Sequence, residues 1–184
     1  MYAGFLDLKH PLYWPVPDAM TAADCDRYLA RFHAAKAERA PVTGEHGEEI
    51  KPLIRSNTRV MWDDEAEANA LVKRVQHLVP GQLLGKTLSG GNPRIRIYRY
   101  GPGQKHSAHW DTVVTLPGAR TSLLTLVFYL NEGFTGGETS FPDLGESVTP
   151  RRGAALLFQH RVLHEAAEVT VGEKFVLRTD VLYR

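Results

Sequence analysis

The residues of this sequence best suited to chemistry stand together at His109-Trp110-Asp111. In a β-strand successive side chains point to opposite faces, so an imidazole and a carboxylate two positions apart project to the same side while Trp110 turns away. One ring nitrogen and one carboxylate oxygen aimed at a common point are two thirds of a 2-His-1-carboxylate facial triad, which holds Fe(II) on one face and leaves its other positions open. The third ligand has to come from another segment. A lone H-x-D is weak evidence, since a surface His beside a solvated Asp is commoner than a metal site.

His160 and His164 are both candidates for that third ligand. They are four residues apart, which on a helix would suggest a zinc pair, but the H-E-x-x-H form is missing and the surroundings read as strand and turn. Ten residues after His164 stands Lys174, with Val176 and Arg178 on its strand face and Phe175 and Leu177 on the other. A cation buried behind a metal site requires an anion, and a dicarboxylic 2-oxo acid supplies one. Its 2-oxo-carboxylate end chelates the metal, and its distal carboxylate meets an ammonium and a tyrosine phenol through charge-assisted hydrogen bonds. Lys174 and Arg178 lie about 13 Å apart at the usual strand rise, so they cannot serve one carboxylate. Arg178 is expected to pair with an acid such as Glu138 or Asp180, or to face the barrel rim.

Positioning these groups falls to strands. Ile95 and Ile97 alternate with Arg94, Arg96, Tyr98 and Tyr100, predicting one aliphatic and one polar-aromatic face. Further strands are predicted over 122–130, 138–141, 147–149, 154–158, about 163–169 and 174–183, separated by short turns, the pattern of an all-β sandwich or barrel. Upstream, Thr21-Ala22-Ala23-Asp24 has the form of a capping box and opens a helix with Cys25, Tyr28, Leu29 and Phe32 on one face. Residues 57–62 predict a short strand. Asp63 or Asp64 then caps a second helix whose stripe of Ala68, Leu71, Val72, Val75 and Val79 ends at Pro80-Gly81. Residues 1–20, rich in proline and aromatics, predict an irregular or extended lead-in. Residues 39–52, with charges, turn formers and two glycines (Gly44, Gly47), predict a long loop of the kind that closes as a lid.

The 184 residues fit a single domain. Twenty-two basic side chains against 21 acidic ones give a net charge of +1, so no global field favours nucleic acid or an anionic membrane. Cys25 is the one cysteine; with no secretory pattern at residues 1–13 this predicts a reducing, cytoplasmic setting and excludes an intrachain disulfide. The longest apolar run, 123–130, is too short to cross a bilayer as a helix.

Several segments, in order, resemble the Fe(II)/2-oxoglutarate-dependent dioxygenases of the prolyl 4-hydroxylase type. They are Tyr98-Arg99-Tyr100-Gly101-Pro102-Gly103-Gln104, His109-Trp110-Asp111, Leu124-Thr125-Leu126-Val127-Phe128-Tyr129-Leu130-Asn131, Gly136-Gly137-Glu138-Thr139, Pro150 to Gly153 with Ala155 to Phe158, and His164-Glu165 running on to Gly172, Lys174 and Val176-Leu177-Arg178-Thr179-Asp180. The resemblance spans residues 94–184 and implies a mainly β fold, a double-stranded β-helix or jelly roll with N-terminal supporting helices. It divides the domain into helical support and lid (1–93) and a metal-binding core (94–184).

The same resemblance implies that His109, Asp111 and His164 hold Fe(II), and that Lys174 and Tyr100 bind the distal carboxylate of 2-oxoglutarate. His106 and His160 match no ligand position and are expected at the rim or behind the ligands. The implied activity is hydroxylation of an unactivated C–H bond of a peptidyl or small-molecule substrate, with O2 as oxidant, succinate and CO2 as products, and ascorbate as a reductant. The expected protein is a monomer with no nucleic-acid or membrane partner. The connections 111–122 and 158–164 are short, where peptide-binding relatives often carry insertions, so prolyl specificity does not follow. Two other readings compete: a non-enzymatic cupin-like binding module with a degenerate metal site, and a zinc hydrolase using His106, His109, His160 and His164, which leaves Asp111 and Lys174 without roles.

Overall fold

Period-two sequence becomes two antiparallel sheets in the computed structural model, which describes residues 6–44 and 47–184. In chain order the strands are β1 (Tyr13–Val16), β2 (Glu38–Arg39), β3 (Val42–Gly44), β4 (Gly47–Glu49), β5 (Thr58–Asp63), β6 (Gln82–Leu83), β7 (Lys86–Gly91), β8 (Arg94–Tyr100) and β9 (Gln104–His109). They continue as β10 (Thr115–Leu116), β11 (Arg120–Tyr129), β12 (Thr135–Gly136), β13 (Thr139–Phe141), β14 (Glu146–Val148), β15 (Ala155–Gln159), β16 (His164–Val171) and β17 (Lys174–Tyr183). The larger sheet runs β1-β15-β11-β17-β8-β5-β2, with β7 also on β17. The smaller runs β12-β16-β13-β14, with β9 on β16. This is the expected jelly roll.

Alternation along β8 sorts its side chains between two cores. Ile95 and Ile97 face outward from the barrel into a layer with Tyr28, Phe32, Leu71 and Val75 of the helices. Tyr98 and Tyr100 face inward, among Tyr129, Phe141, Leu156, Phe158 and Val176 between the sheets. Each large apolar side chain so buried contributes about 1.5–3 kcal/mol. Helix α1 (Ala22–Ala34) starts at the capping box: Thr21 Oγ1 accepts the Asp24 N–H at 3.1 Å, and Asp24 Oδ2 accepts that of Thr21 at 3.3 Å. Helix α2 (Glu65–Val75) is capped by Asp64, which accepts the Glu67 N–H at 2.8 Å. It ends earlier than the apolar stripe predicts, because residues 76–78 tighten into a 3-10 turn that still carries Val79 into the core. Among the described residues no helix is long and apolar enough to cross a membrane.

Two segments are more regular than their sequence predicts. The lead-in contains β1, which pairs with β15 and forms the edge of the larger sheet, where Pro15 costs no ladder bond inside the sheet. The expected lid loop carries the β3–β4 hairpin, fastened by the buried Arg59 guanidinium, which donates to Glu38 at 2.8 Å and to Glu48 at 3.2 Å. Burial works against that cation, but Glu48 and Glu38 raise its pKa above the usual arginine value. Glu45 and His46 of the expected lid, and residues 1–5 of the lead-in, lie outside the described residues.

Candidate functional site

Two cross-strand pairs define the site. Register on the smaller sheet sets His109 of β9 opposite His164 of β16, and register on the larger sheet sets Lys174 of β17 opposite Tyr100 of β8. The strand pairing of β9 stops at His109, so Asp111 is not on the strand as its spacing predicts. Its N–H instead donates to the His160 carbonyl at 3.0 Å, and that bond turns the carboxylate inward. His109, Asp111 and His164 each offer a donor atom, and all these atoms lie within 4.8 Å of one another.

The donor set suits a divalent metal. His109 Nδ1 lies 2.8 Å from the Ser107 carbonyl and His164 Nδ1 lies 3.0 Å from that of Val162. A carbonyl can only accept, so both rings carry their proton on Nδ1 and present the Nε2 lone pair to the center. Burial lowers both imidazole pKa values, that of His109 to about 4, so both are neutral at pH 7, the ligating form. Burial alone would raise the Asp111 carboxyl, but Arg178 and the neighboring imidazoles hold it well below the usual carboxylate range. Thr125 Oγ1 donates to Asp111 Oδ2 at 2.5 Å, and Arg178 Nη1 lies 2.9 Å from Oδ1.

At the other end of the cavity Lys174 is 2 % exposed. Its ammonium donates to the Gly137 carbonyl at 2.5 Å and lies 5.3 Å from the Tyr100 ring centroid and 5.7 Å from that of Tyr129. Burial lowers its pKa to about 7, only partly offset by Glu138. Gly137 has φ +72°, and a Cβ there would sit 3.0 Å from Val169 and 3.1 Å from Lys174, so glycine is what lets this backbone pass so close to the lysine. A desolvated ammonium held by one neutral carbonyl fits an incoming carboxylate, so both ends of the cavity match the groups that the sequence resemblance implies.

The remaining sequence candidates fall outside the triad. His106 stacks on the His109 ring with centroids 3.6 Å apart. His160 is buried behind the site, its Nε2 3.7 Å from Asp180 Oδ1, so the four-histidine zinc grouping is not assembled. Arg178 pairs with Asp180 at 3.1 Å, one of the partners expected for it, and also with Asp111, which sequence reasoning missed along with Thr125. The signal was present: once Lys174 pairs with Tyr100, alternation brings Arg178 opposite Arg96, two like charges that need carboxylates between them.

The sequence pattern of the 2OG-Fe(II) oxygenase superfamily matches residues 95–179. Those residues include every member of the triad and Lys174. Iron(II) and 2-oxoglutarate are the groups this match implies. Among similar proteins, prolyl 4-hydroxylase subunit alpha-1 of Bos taurus is 27 % identical over 152 residues, covering 74 % of this chain and 27 % of its own. A putative prolyl 4-hydroxylase of Acanthamoeba polyphaga mimivirus is 30 % identical over 102 residues, covering 45 % and 41 %. The chain thus spans well under half the length of these relatives.

Solved structures similar to this chain share its fold. A Pseudomonas putida prolyl-4-hydroxylase aligns with a TM-score of 0.64 at 19 % identity, over 97 % of this chain and 96 % of its own. A Trichoplax adhaerens prolyl hydroxylase, solved with a hypoxia inducible factor peptide, aligns with a TM-score of 0.69 at 14 % identity, over 95 % and 84 %.

Proposed function

We propose that the chain is a 2-oxoglutarate-dependent dioxygenase that hydroxylates an unactivated C–H bond of a peptidyl or small-molecule substrate, releasing succinate and CO2. The observation that carries this reading is the pair of registers that bring two imidazoles together, beside the Asp111 carboxylate, at one end of the cavity and a buried ammonium at the other. His109, Asp111 and His164 would hold Fe(II), and Lys174 with the Tyr100 phenol would hold the distal carboxylate of 2-oxoglutarate. When bound, the metal would activate O2, the oxidant, which takes two electrons from the 2-oxo acid and two from the C–H bond.

The chain's part is to bind, orient and keep water out. The Ser107 and Val162 carbonyls fix the two imidazole tautomers. Arg178 and Thr125 fix the Asp111 carboxylate and keep it ionized. Phe158 packs on His164 with centroids 4.4 Å apart and closes the apolar wall. The functional unit is proposed to be the whole of residues 1–184, with the β3–β4 hairpin as lid over the core.

Anaerobic titration of the Fe(II)-loaded protein with 2-oxoglutarate tests the reading through metal-to-ligand charge-transfer absorption. The expected result is a visible band that is lost in Asp111→Ala and His164→Ala and kept in His160→Ala. Absence of the band in the native protein refutes the assignment, and equal loss in both histidine variants refutes the choice of His164.

A further inference from the structure

Beside the Lys174 cavity a larger cleft of about 470 Å³ runs from His109 and Asp111 toward the β3–β4 hairpin. Its walls carry many cations, most of them already paired. Arg59 is bound to Glu38 and Glu48, Arg94 to Asp63, Lys51 to Glu49, and Arg178 to Asp111 and Asp180. Arg55 and Arg96 differ. Among the described residues Arg55 donates to neutral oxygens, Asn57 Oδ1 and the Pro41 carbonyl, each at 3.0 Å, and its guanidinium lies 4.7 Å from the Tyr98 ring centroid. Arg96 keeps a buried Nη1 with no hydrogen-bond partner among the described residues. The carboxylate near it, Asp180, is 3.9 Å away and already accepts from Asn92 at 2.9 Å and Arg178 at 3.1 Å.

Around Tyr98, then, three guanidiniums (Arg55, Arg96, Arg178) meet two carboxylates (Asp111, Asp180) that Arg178 already holds, so among the described residues Arg55 and Arg96 are the guanidiniums of this cleft that no carboxylate binds within hydrogen-bond distance. Burial alone would raise the Tyr98 phenol, yet these three guanidiniums bring its pKa below the usual tyrosine value, which reports the sign of the local potential. Ile54, Trp110 and Val114 line the same cleft and are each more than a third exposed, so the charge has an apolar border. Low-dielectric walls of this kind strengthen an ionic contact.

Resting on the oxygenase reading above, we propose that the substrate carries a carboxylate, which docks on Arg55 and Arg96 beside Tyr98 while an adjoining apolar segment lies over Trp110 and Val114. Two planar guanidinium forks without a bound carboxylate of their own suit a carboxylate ligand. That group can be the free carboxylate of an amino acid or the side chain of an acidic residue within a peptide.

Calorimetric titrations distinguish these sources with matched probes: N-acetyl-L-alanine against its amide, and the capped tripeptide Ala-Asp-Ala against Ala-Asn-Ala. They are run without oxygen on protein loaded with Fe(II) and 2-oxoglutarate, and again on the protein as purified. At least one carboxylate is expected to bind about tenfold or more tightly than its neutral partner, and the stronger of the two names the source. In Arg55→Gln and Arg96→Gln, checked for folding by circular dichroism, the preference falls to within about threefold. Equal or undetectable binding within both wild-type pairs overturns the proposal. So does a preference that survives both substitutions, or tighter binding of inorganic phosphate than of either carboxylate. Charge-transfer absorption and succinate release are read separately, so their absence beside an intact carboxylate preference strikes the oxygenase reading alone.

Discussion

Replacing Lys174 with methionine keeps a long apolar stem, removes the charge, and separates two effects of opposite sign. In the free protein the ammonium is desolvated and held by one carbonyl, and burial lowers its pKa to about 7. An unfolded lysine titrates near 10.4. Below pH 7 both states carry the proton and the cost of burying it is present in full. Between about pH 7 and 10 the folded protein has released a proton that the unfolded chain keeps, so stability rises with pH. Lys174→Met therefore raises the melting temperature of the free protein, most at pH 6, and flattens that rise. Binding of 2-oxoglutarate responds the other way, because its distal carboxylate loses the ammonium. Removing one partner of a buried ion pair costs about 3–5 kcal/mol, or two to four orders of magnitude in dissociation constant at about 1.4 kcal/mol per decade. Wild-type affinity is level below pH 7 and falls about tenfold per pH unit above it, since binding must then take up a proton. The phenol of Tyr100, pushed up to about 12 by burial, and the imidazole of His109, near 4, do not titrate in this window. Anaerobic charge-transfer titrations from pH 6 to 9, run beside thermal melts, measure both effects. A Lys174→Met protein that binds 2-oxoglutarate within a few fold of wild type, or a wild-type affinity unchanged across that range, refutes the reasoning.

Arg178→Met strands Asp111 and Asp180 and should lower stability by about 3–5 kcal/mol in urea unfolding; it should also weaken Fe(II) binding about 10- to 100-fold, while 2-oxoglutarate affinity stays within a few fold. Gly137→Ala forces a Cβ to within 3.1 Å of Lys174 at φ +72°, which should cost about 1–3 kcal/mol and raise the 2-oxoglutarate requirement, read by the same titration. Arg59→Ala unfastens Glu38 and Glu48, so limited proteolysis should cut residues 40–52 sooner than in wild type, and an unchanged cleavage rate would show that the hairpin is held by other contacts.

The jelly roll and the grouping of His109, Asp111 and His164 were legible because each rests on local pattern: alternation in β8, β11 and β17, and spacings that repeat a known family. What escaped was set by pairing across the fold. Asp111 reaches the triad through a backbone bond to His160, 49 residues away, which no strand periodicity reports. The β3–β4 hairpin looked like a loop because Val42 to Glu49 carries polar and glycine residues, and its anchor, Arg59, belongs to a later strand. Asn92, His160 and Asp180, buried polar residues around Arg178, gather from three segments. Their partners are assigned by sheet register, which single-residue propensities do not contain.

His109 and His164 belong to the smaller sheet, whereas Lys174 and Tyr100 belong to the larger one. Stacked sheets keep a separation of about 10 Å, fixed by the girth of the side chains between them. On the proposed binding mode the barrel wall would act as a molecular ruler for the cosubstrate. A five-carbon 2-oxo diacid would reach from one sheet to the other, whereas oxaloacetate would fall a methylene short of the lysine and 2-oxoadipate would have to buckle. Apolar spacers such as Phe158 and Val176 would set the graduation of that ruler. Chain-length selectivity would then be a property of packing, and an enlarged or trimmed spacer would shift it.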